Sequence, residues 1–361
     1  MRLKHILKSV SNTYDFSKNN NVIFLNTGDI LSGKILHNNY SDSKYLPGQA
    51  KKSIENNDIL FSEIRPANQR FALVDVPNPQ DYVVSTKLMV LRLINPDYTV
   101  EFVYNFLTQP KVLSELQTLA ESRSGTFPQI TFSEIEMLDI PELPVEEQRH
   151  IVDILGSIDD SVENNEKIAA DLEDYAISKY QELTRGIRDF IPLGEIVDIY
   201  DSKRKPLSSR ERESRKGDYR YYGATGVLDY VNDYLFDGEY VLLAEDGTVI
   251  DENGYPIVQL VTGQFWVNNH AHIMQAKAGY TNYSLYVALK KLSVNTAVTG
   301  AVQLKINQAN LCALELPKID ENELSAFNQD IEPLFLKMIH IRAEIEKLNE
   351  LKQLYLHKFF G

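Results

Sequence analysis

The sequence lacks the features on which redox, zinc-binding or secreted proteins depend. Its one cysteine, Cys312, can form no internal disulfide and offers no set of metal ligands. No stretch approaches the roughly 18 apolar residues that a membrane-spanning helix needs. The first residues show no apolar run followed by a small-residue cleavage site. We therefore expect a globular, cytoplasmic protein without metal or redox chemistry.

The motifs of nucleotide-using enzymes are also missing. The sequence has no GxxxxGK[ST] phosphate loop, no GxGxxG after a predicted strand and no Asn-Pro-Pro-aromatic motif for a flipped base. His270 and His272 alternate along a predicted strand and should face opposite sides of it, so they are poor joint metal ligands. Asp246, Asp251 and Glu252 lie in a glycine-rich turn region without a lysine partner, which favours solvated turn residues over a nuclease site. We expect no catalytic residue, no bound cofactor and no metal.

Negative charge is abundant but unevenly distributed. The net charge is −14 over 361 residues, whereas affinity for DNA comes largely from Lys and Arg that neutralise phosphates. Residues 144–186 carry 4 basic and 11 acidic groups, while 1–143 and 187–318 each carry 14 basic and 16 acidic groups. The two larger blocks are therefore nearly neutral, and the acidity does not exclude DNA contact by either of them.

An internal repeat organises the chain. At an offset of 176 residues, the segment 138–141 (LDIP) aligns with 314–317 (LELP), and an acidic segment follows each proline. In both acidic segments, apolar residues alternate spacings of four and three, which is the a/d pattern of a coiled coil. The residues that we take as the seam for helix pairing and partner binding are Ile151, Leu155, Ile158, Val162, Leu172, Phe327, Ile331, Met338, Ile345 and Leu348.

The pattern predicts two long helices whose apolar seams have to be covered. Packing on its own domain would cover either seam alone, but the matching phases favour pairing of the helices, antiparallel because a whole domain lies between them. A helix over 151–183 would span about 48 Å at 1.5 Å per residue, against about 34 to 36 Å for one turn of B-DNA, so the pair would act as a ruler between two half-sites. Asn165, Lys179 and Lys352 at seam positions would fix the register, and Pro333 should mark the start of the second helix or a kink.

The predicted fold class is α+β. Two mixed α/β domains are separated by two long helices packed as an antiparallel coiled coil, with a pseudo-two-fold internal repeat. The predicted boundaries are 1–143 for the first domain, 144–186 for the first helical spacer, 187–318 for the second domain and 319–361 for the second spacer. Strands are predicted at 58–61, 83–86, 88–91, 240–243, 257–261 and 270–274, and helices at 99–119 and 282–292.

The densest basic cluster is the segment 203–217, with seven basic residues against two acidic ones and with Pro and Gly that indicate a loop. Arg and Lys neutralise phosphate or pair with guanine edges, and Tyr contacts sugar, base or phosphate. A charged, solvated loop is the alternative interpretation. The predicted DNA contacts of the second block are Lys203, Arg204, Lys205, Arg210, Arg212, Arg215, Lys216, Tyr221 and Tyr222.

The candidate DNA-contacting residues of the first block, residues 1–143, are more scattered along the sequence. Arg for guanine and Gln or Asn for adenine are the usual pairings with base edges. The residues that we predict to contact DNA there are Lys51, Lys52, Arg65, Gln69, Arg70 and Arg123. Gly125 and Gly300 lie in polar loops, where a glycine serves either a close backbone approach to a ligand or an ordinary turn.

Several segments together resemble the specificity subunits of Type I restriction-modification systems, and the resemblance covers essentially the whole chain. The segments are 222–227 (YGATGV), 236–247 (FDGEYVLLAEDG), 268–272 (NNHAH), and Pro141 followed by 147–151 (EQRHI). The second repeat departs from the family pattern, because residues 327–329 (FNQ) stand where a Glu-Gln pair is usual.

The resemblance implies a non-catalytic subunit with two target recognition domains, each reading one half of a bipartite, asymmetric DNA site. In the family, two modification subunits that use S-adenosylmethionine dock on the helices and methylate adenine, and translocating restriction subunits join them. S-adenosylmethionine, ATP and Mg are thus expected on the partner subunits only. The acidic helices would meet protein, and the loop 203–216 and the turn 221–226 would face DNA.

Three alternatives stay open beside this interpretation. The chain could be a coiled-coil scaffold whose two domains bind proteins. It could also be the specificity subunit of a methyltransferase without restriction partners. A nuclease is the third alternative, which a cleavage assay with magnesium would reveal.

Overall fold

The fold is taken from a computed structural model that describes residues 1–123, 127–300 and 303–361. Gly125 lies outside the described residues. Two compact units are present, one comprising Met1–Val162 and Lys347–Gly361, the other Glu163–Glu346. Within the described residues, no helix has both the length and the apolar character needed to cross a membrane.

The first unit is built on a pair of four-stranded sheets. Its strands are β1 (Leu7–Val10), β2 (Asn21–Leu25), β3 (Ile30–Leu31), β4 (Lys34–Ile35), β5 (Tyr40–Asp42), β6 (Ala50–Ser53), β7 (Ile59–Ser62), β8 (Phe71–Leu73), β9 (Tyr82–Ser85) and β10 (Leu88–Leu93). One sheet has the order β1-β10-β7-β8 and is antiparallel, and the other has the order β5-β2-β9-β6 with β2 parallel to β9. The residues of β7 and β9 are all buried, as in strands covered on both faces.

The helices of the first unit are α1 (Val100–Thr108), α2 (Pro110–Arg123), α3 (Phe132–Ile135), the first part of α4 (Val145–Leu183) and the last part of α9 (Glu321–Phe360). The single helix that the sequence predicts over 99–119 is wrong, since α1 and α2 are separate. Pro110 has no backbone N–H to donate and disfavours a helical conformation in the residue before it. Gln109 is accordingly extended, with ψ 147°.

The second unit contains a six-stranded sheet of order β12-β17-β15-β16-β13-β14. Its strands are β11 (Phe190–Pro192), β12 (Val197–Ile199), β13 (Lys216–Tyr222), β14 (Val227–Val231), β15 (Phe236–Ala244), β16 (Val258–Val267), β17 (Ala271–Ala276), β18 (Val298–Thr299), β19 (Lys305–Ile306) and β20 (Glu315–Pro317). Its helices are the rest of α4, then α5 (Leu193–Ile196), α6 (Ser209–Ser214), α7 (Asn282–Lys290), α8 (Gln308–Cys312) and most of α9 (Glu321–Phe360).

The two units share a strand order, which confirms the internal repeat. The order β1-β10-β7-β8 in the first unit corresponds to β12-β17-β15-β16 in the second. In each unit a nine-residue helix, α1 or α7, follows the last of these strands and starts at a threonine cap, Thr99 or Thr281. The mixed α/β class predicted for both domains is therefore confirmed.

The helices α4 and α9 run antiparallel. In the first unit, Lys352 in the last turns of α9 lies 2.5 Å from the carboxylate of Asp159 in α4. In the second unit, Lys179 in the last turns of α4 lies 2.9 Å from the carboxylate of Asp330 in α9. Within the second unit, Tyr180 then lies against Phe327, so residue numbers rise along α4 while they fall along α9. Both lysines occupy seam positions, and each pairs with an aspartate of the opposite helix.

The predicted seam is covered along both helices. Ile151, Leu155, Ile158, Phe327, Ile331 and Met338 are buried, and Val162, Leu172, Ile345 and Leu348 are half-buried. The same helices also contribute to the core of their own unit. In the second unit, Tyr180 of α4 lies 5.8 Å from Phe327 of α9, ring to ring, and Phe335 stacks on Tyr283 at 4.9 Å. Pairing of the helices and packing on the domain are therefore combined, although the sequence presents them as alternatives.

The prediction that α9 starts or kinks near Pro333 is wrong about its start. The helix begins at Glu321, so Pro333 lies inside it. A proline at that position removes one intrahelical hydrogen bond. Leu324 and Phe327 before it and Ile331 beside it are all buried in the core of the second unit, and this packing stabilises the first turns of the helix.

A buried amide ties α4 to the cap of α1. Gln148 is fully buried; its Nε2 donates to the carbonyls of Asp97 and Leu143, both at 2.8 Å, and its Oε1 accepts from the N–H of Thr99 at 2.9 Å. The N-terminal cap of α1 is thereby fixed to the first turn of the long helix.

The second unit has a similar connection at a shifted position. The 176-residue offset places Leu324 where Gln148 stands in the first unit. The contact comes instead from Asn328, one turn later, whose Nδ2 donates to the carbonyl of Gly279 at 2.8 Å and whose Oδ1 accepts from the hydroxyl of Thr281 at 3.4 Å. A shift of one helical turn keeps the amide on the same face of the helix.

Candidate nucleic-acid interface

The basic segment 203–217 is a fixed element and not an open loop. It contains α6, whose first turn is closed by a capping box between Ser208 and Glu211. The Glu211 carboxylate accepts from the hydroxyl of Ser208 at 2.6 Å and from its N–H at 2.8 Å. These hydrogen bonds, above all that from the hydroxyl, hold the pKa of Glu211 below its usual range. The segment therefore presents its side chains from a defined backbone.

Arg204 points into the domain. Its side chain is 13% exposed and lies 2.6 Å from the carboxylate of Glu245 and 3.4 Å from that of Asp201. It also donates to the carbonyl of Ala271 at 2.8 Å. The predicted DNA contact at Arg204 is therefore corrected, because its guanidinium joins its own segment to Glu245 and Ala271, which are distant in sequence.

Arg212 and Lys216 converge on one aspartate. Nε of Arg212 lies 3.1 Å and Nζ of Lys216 2.8 Å from the carboxylate of Asp229 in β14. The hydrogen bond from Lys216, followed by that from the N–H of Tyr230, lowers the pKa of Asp229 to about 2. Arg212 is largely buried, so its predicted DNA contact is corrected, whereas Lys216 is half exposed and keeps donors for another acceptor.

Trp266 connects the two ends of the segment, because it contacts both Arg215 near the end and Lys205 near the start. The guanidinium of Arg215 lies 4.9 Å from the centroid of the Trp266 ring and 3.4 Å from the carboxylate of Asp233. The indole N–H of Trp266 donates to the carbonyl of Lys205 at 2.6 Å. The backbone of Lys205 is thus fixed while its side chain is exposed.

The predicted contacts at Tyr221 and Tyr222 are corrected by their burial. Tyr221 is 1% and Tyr222 8% exposed. The hydroxyl of Tyr221 accepts from the N–H of Leu207 at 2.9 Å, so this hydrogen bond fixes the backbone of the basic segment to β13. The ring of Tyr222 packs edge-on against Phe265. Neither tyrosine is open to a ligand as large as a duplex.

Lys203, Lys205 and Arg210 are exposed, as Lys216 is, but Lys216 is held by the carboxylate of Asp229. Nζ of Lys203 lies 4.7 Å from the centroid of the Tyr200 ring, which positions its stem while the charge faces solvent. Among the described residues, none of the three is in an ion pair with a carboxylate. DNA contact by these three residues stays a prediction.

Two candidates of the first unit serve its fold. Lys52 donates to the carbonyls of Thr86 at 3.2 Å and Leu88 at 2.9 Å, and burial lowers the pKa of its ammonium group. Arg70 donates to the carbonyl of Ile30 at 3.0 Å and to one further carbonyl. Both side chains thus bind backbone acceptors of their own unit and are half-buried, and DNA contact at Lys52 and Arg70 stays a prediction.

The other candidates of the first unit are exposed. Arg123 forms an ion pair with Glu134, the carboxylate that closes the capping box of α3. Lys51, Arg65 and Gln69 have exposed side chains, and DNA contact at these positions stays a prediction.

A buried ion network was not foreseen from the sequence. His272 is 1% exposed; its Nδ1 lies 2.6 Å from the carboxylate of Asp201 and its Nε2 2.8 Å from the carbonyl of Ile306. Both ring nitrogens therefore face oxygen atoms of other residues. Asp201, Glu245 and His272 bring their ligand atoms within 4.8 Å of one another. Two cationic side chains already lie against Glu245: that of Arg204 at 2.6 Å and that of Lys305 at 3.1 Å. The group therefore forms an ion network.

Glu245 makes the stability of the second unit dependent on pH. Burial raises the pKa of its carboxyl, but hydrogen bonds from Arg204 and Lys305 and the charge of His272 outweigh that effect, so the pKa lies below its usual value of 4.5. The stabilisation is therefore present above pH 4.5 and is lost as the pH falls through the lowered value. We expect Glu245→Gln to lower the urea midpoint at pH 7 and to make less difference at pH 3. Glu252→Gln, in an exposed turn, is the control; a Glu245→Gln deficit that is constant with pH would contradict the electrostatic explanation.

The sequence also gives little indication of a cleft of about 390 Å³ in the second unit, between the sheet and α9. Arg220 and Tyr222 of β13 face it from the sheet, and Arg342 and Glu346 face it from the helix, with an ion pair between Arg220 and Glu346. The only sequence signal was the alternation of Arg220 and Tyr222, which places both on one face of a strand.

The chain matches the sequence profile described as the Type I restriction modification DNA specificity domain, over residues 1–174 and 189–353. It is 44% identical over 174 residues to the Type I restriction enzyme HindI specificity subunit of Haemophilus influenzae, a stretch that covers 48% of this chain and 38% of that relative. A second Haemophilus influenzae relative, the putative specificity subunit S.HindORF215P, is 39% identical over 35% of this chain and 32% of its own. These alignments span about a third of each relative.

Similarity over a longer stretch is lower. The Type I restriction enzyme MjaIX specificity subunit of Methanocaldococcus jannaschii is 24% identical over 300 residues, which is 72% of this chain and 68% of that protein. The crystal structure of the Type I restriction-modification S subunit from M. genitalium superposes with a TM-score of 0.54 at 16% identity, covering 100% of this chain and 95% of the other. At that identity the superposition supports the fold alone. The profile matches well over half of the residues, and the chain therefore belongs to the family of Type I restriction modification DNA specificity domains.

Proposed function

We propose that the chain is the DNA specificity subunit of a Type I restriction-modification complex. Each of its two α/β domains reads one half of a bipartite, asymmetric DNA sequence. The observation that carries this proposal is the repeated strand order of the two units combined with different exposed residues on each copy. One scaffold used twice with unlike surface residues suits the recognition of two unlike short sequences.

The exposed cations support a DNA ligand in a chain whose net charge is −14. Lys203, Lys205 and Arg210 stand on a backbone fixed by a helix cap and by Trp266. Non-specific affinity for DNA arises from such side chains, because each phosphate that they neutralise releases a condensed counterion. These residues are proposed to anchor the second domain on the backbone of its half-site.

The chain itself is proposed to carry out no chemistry. The carboxylates that resemble a nuclease set have local partners: Asp246 lies 2.5 Å from His270, and Asp251 accepts from the N–H groups of Asn253 and Tyr255, each at 2.9 Å. S-adenosylmethionine, ATP and Mg would be held by the modification and restriction subunits. The chain would supply DNA sequence recognition and the docking surface for two modification subunits on α4 and α9.

Methylome sequencing tests the proposal. The full chain is expressed with its cognate modification subunit in a host without DNA methylation, and methylated adenines are mapped over the genome. We expect one bipartite motif with two unlike halves, and none when either gene is omitted. Absence of any such motif, with both proteins soluble and associated, would contradict the proposal and favour a coiled-coil scaffold.

A further inference from the structure

The turn between β7 and β8 has an unusual backbone. Arg65 has φ 44° and Gln69 φ 54°, so both are left-handed although neither is glycine. They flank the single turn of 3-10 helix Pro66–Asn68. A left-handed conformation is unfavourable for a residue with a Cβ, and it persists only where the surrounding structure determines it. Such backbone strain is found preferentially where a side chain has to be held in place for a ligand.

Contacts from three directions hold this turn. The N–H of Ser32, itself at φ 47°, donates to the carbonyl of Gln69 at 2.8 Å. Gln117 of α2 accepts from the N–H of Ala67 at 3.1 Å. Arg70 crosses beneath the turn to the carbonyl of Ile30. The turn is thus fixed while its outer side chains remain exposed.

The side chain of Gln69 is oriented as well. Its Oε1 accepts from the hydroxyl of Ser32 at 2.7 Å, which sets which end of the amide lies toward Ser32. One lone pair of Oε1 and both hydrogens of Nε2 remain for a ligand. Arg65 presents an exposed guanidinium four residues before it. The turn therefore offers an oriented donor–acceptor pair at Gln69 and, from a fixed backbone at Arg65, a forked donor.

We propose that the turn from Arg65 to Gln69 is the base-reading element for the first DNA half-site. Gln69 contacts an adenine, donating from Nε2 to N7 and accepting at Oε1 from N6, and Arg65 donates to O6 and N7 of a guanine. Those are the base edges that amides and guanidinium groups recognise in the major groove. Ser32 is a positioning residue that acts through Gln69. This inference rests on the proposed function and adds the residues that read the sequence.

A phosphate contact explains the turn less well. Phosphate contacts come from Lys and Arg and also from neutral donors such as Gln, but they need only a donor and carry no information on base sequence. Gln69 is neutral, its amide is oriented by a hydroxyl, and its backbone is strained. Oriented amides are needed to discriminate a base edge and not to bind a phosphate.

The test compares methylomes of the full chain with Gln69→Ala, Arg65→Ala and Ser32→Ala, each expressed with the modification subunit. We expect Gln69→Ala and Arg65→Ala each to lose discrimination at one base position in one half of the motif, tenfold or more, while the other half is unchanged. Ser32→Ala should relax the same position as Gln69→Ala, to a smaller extent. Gln80→Ala, on an exposed turn of the same unit, should leave the motif intact.

The outcomes separate this inference from the proposed function. A wild-type bipartite motif that all three variants retain unchanged would overturn the inference alone. Equal loss of methylation at every site, with the motif unchanged, would indicate a phosphate contact and also overturn it. No bipartite motif for the wild-type chain would overturn the proposed function first. As a folding readout, Gln69→Gly should lose the same base discrimination while its Tm stays equal or rises, since glycine relieves the left-handed strain.

Discussion

Changing Lys203, Lys205 and Arg210 together to glutamate is expected to weaken binding of duplex DNA by about two to three orders of magnitude at 0.1 M salt. Each phosphate contact contributes roughly 0.9 to the slope of log affinity against log salt concentration, so the slope should flatten by about 2.7. The three side chains are exposed and unpaired within the part of the chain that the structure describes, so the fold should tolerate the change. Fluorescence anisotropy at several salt concentrations measures both quantities.

The control has the same change in net charge at other exposed sites of the second domain, Arg188, Lys291 and Lys318, each changed to glutamate. We expect its affinity for DNA to stay within a fewfold of wild type. An equal loss in both triple variants would mean that total charge and not this surface governs binding. Unchanged binding by the first variant would favour the alternative of a charged, solvated loop and with it a protein-binding scaffold.

The number of basic residues in the segment 203–217 overestimates how many of them are available to contact DNA. Seven cations fall within residues 203–217, yet Arg204 and Arg212 are bound by Glu245 and Asp229. These carboxylates lie far along the chain, and only the folded sheet brings them to the segment. Local sequence shows where charge is, whereas the partners of that charge depend on strand pairing that no local pattern encodes.

The long helices were predictable because their signal is local and repeated. Seam positions from Ile151 onward recur every three or four residues, and the structure covers them as that spacing requires. What the pattern could not show is that each helix also enters the core of its unit, as Phe335 does against Tyr283. For the same reason Pro333 was taken as a helix start: the packing that stabilises the helix across it comes from elsewhere in the chain.

The departure of residues 327–329 from the family pattern has a structural counterpart. Gln148 belongs to the usual Glu-Gln pair and holds the cap of α1, whereas in the second repeat Asn328 makes a similar connection to the cap of α7 from one turn further on. The two connections differ in burial, since Gln148 is fully buried and Asn328 is half-buried. Their contributions to stability should therefore differ.

Gln148→Ala is expected to lower the free energy of unfolding of the first unit by about 3 kcal/mol, because three backbone groups lose the fully buried amide that is their hydrogen-bond partner. The N–H of Thr99 and the carbonyls of Asp97 and Leu143 are those groups. Asn328→Ala is the matched variant, for which about 1 kcal/mol or less is expected, since water can replace the amide there. Urea denaturation gives the two free energies, and hydrogen exchange at the Thr99 amide shows whether the cap of α1 opens.

The comparison distinguishes a buried clamp from ordinary loss of side-chain packing. If the Gln148 amide fixes the cap of α1, hydrogen exchange at the Thr99 amide should be faster in Gln148→Ala than in wild type, and exchange at the other α1 amides should change less. Gln148→Leu, which keeps the volume but supplies no hydrogen bond, should be almost as damaging as Gln148→Ala, because the leucine side chain covers the same backbone groups and leaves them without a partner. Wild-type stability in the leucine variant would show that the amide fills space only. The hydrogen bonds of Asn328 to Thr281 and Gly279 would then reflect only the common origin of the two repeats, and neither amide would be required to fix a helix cap.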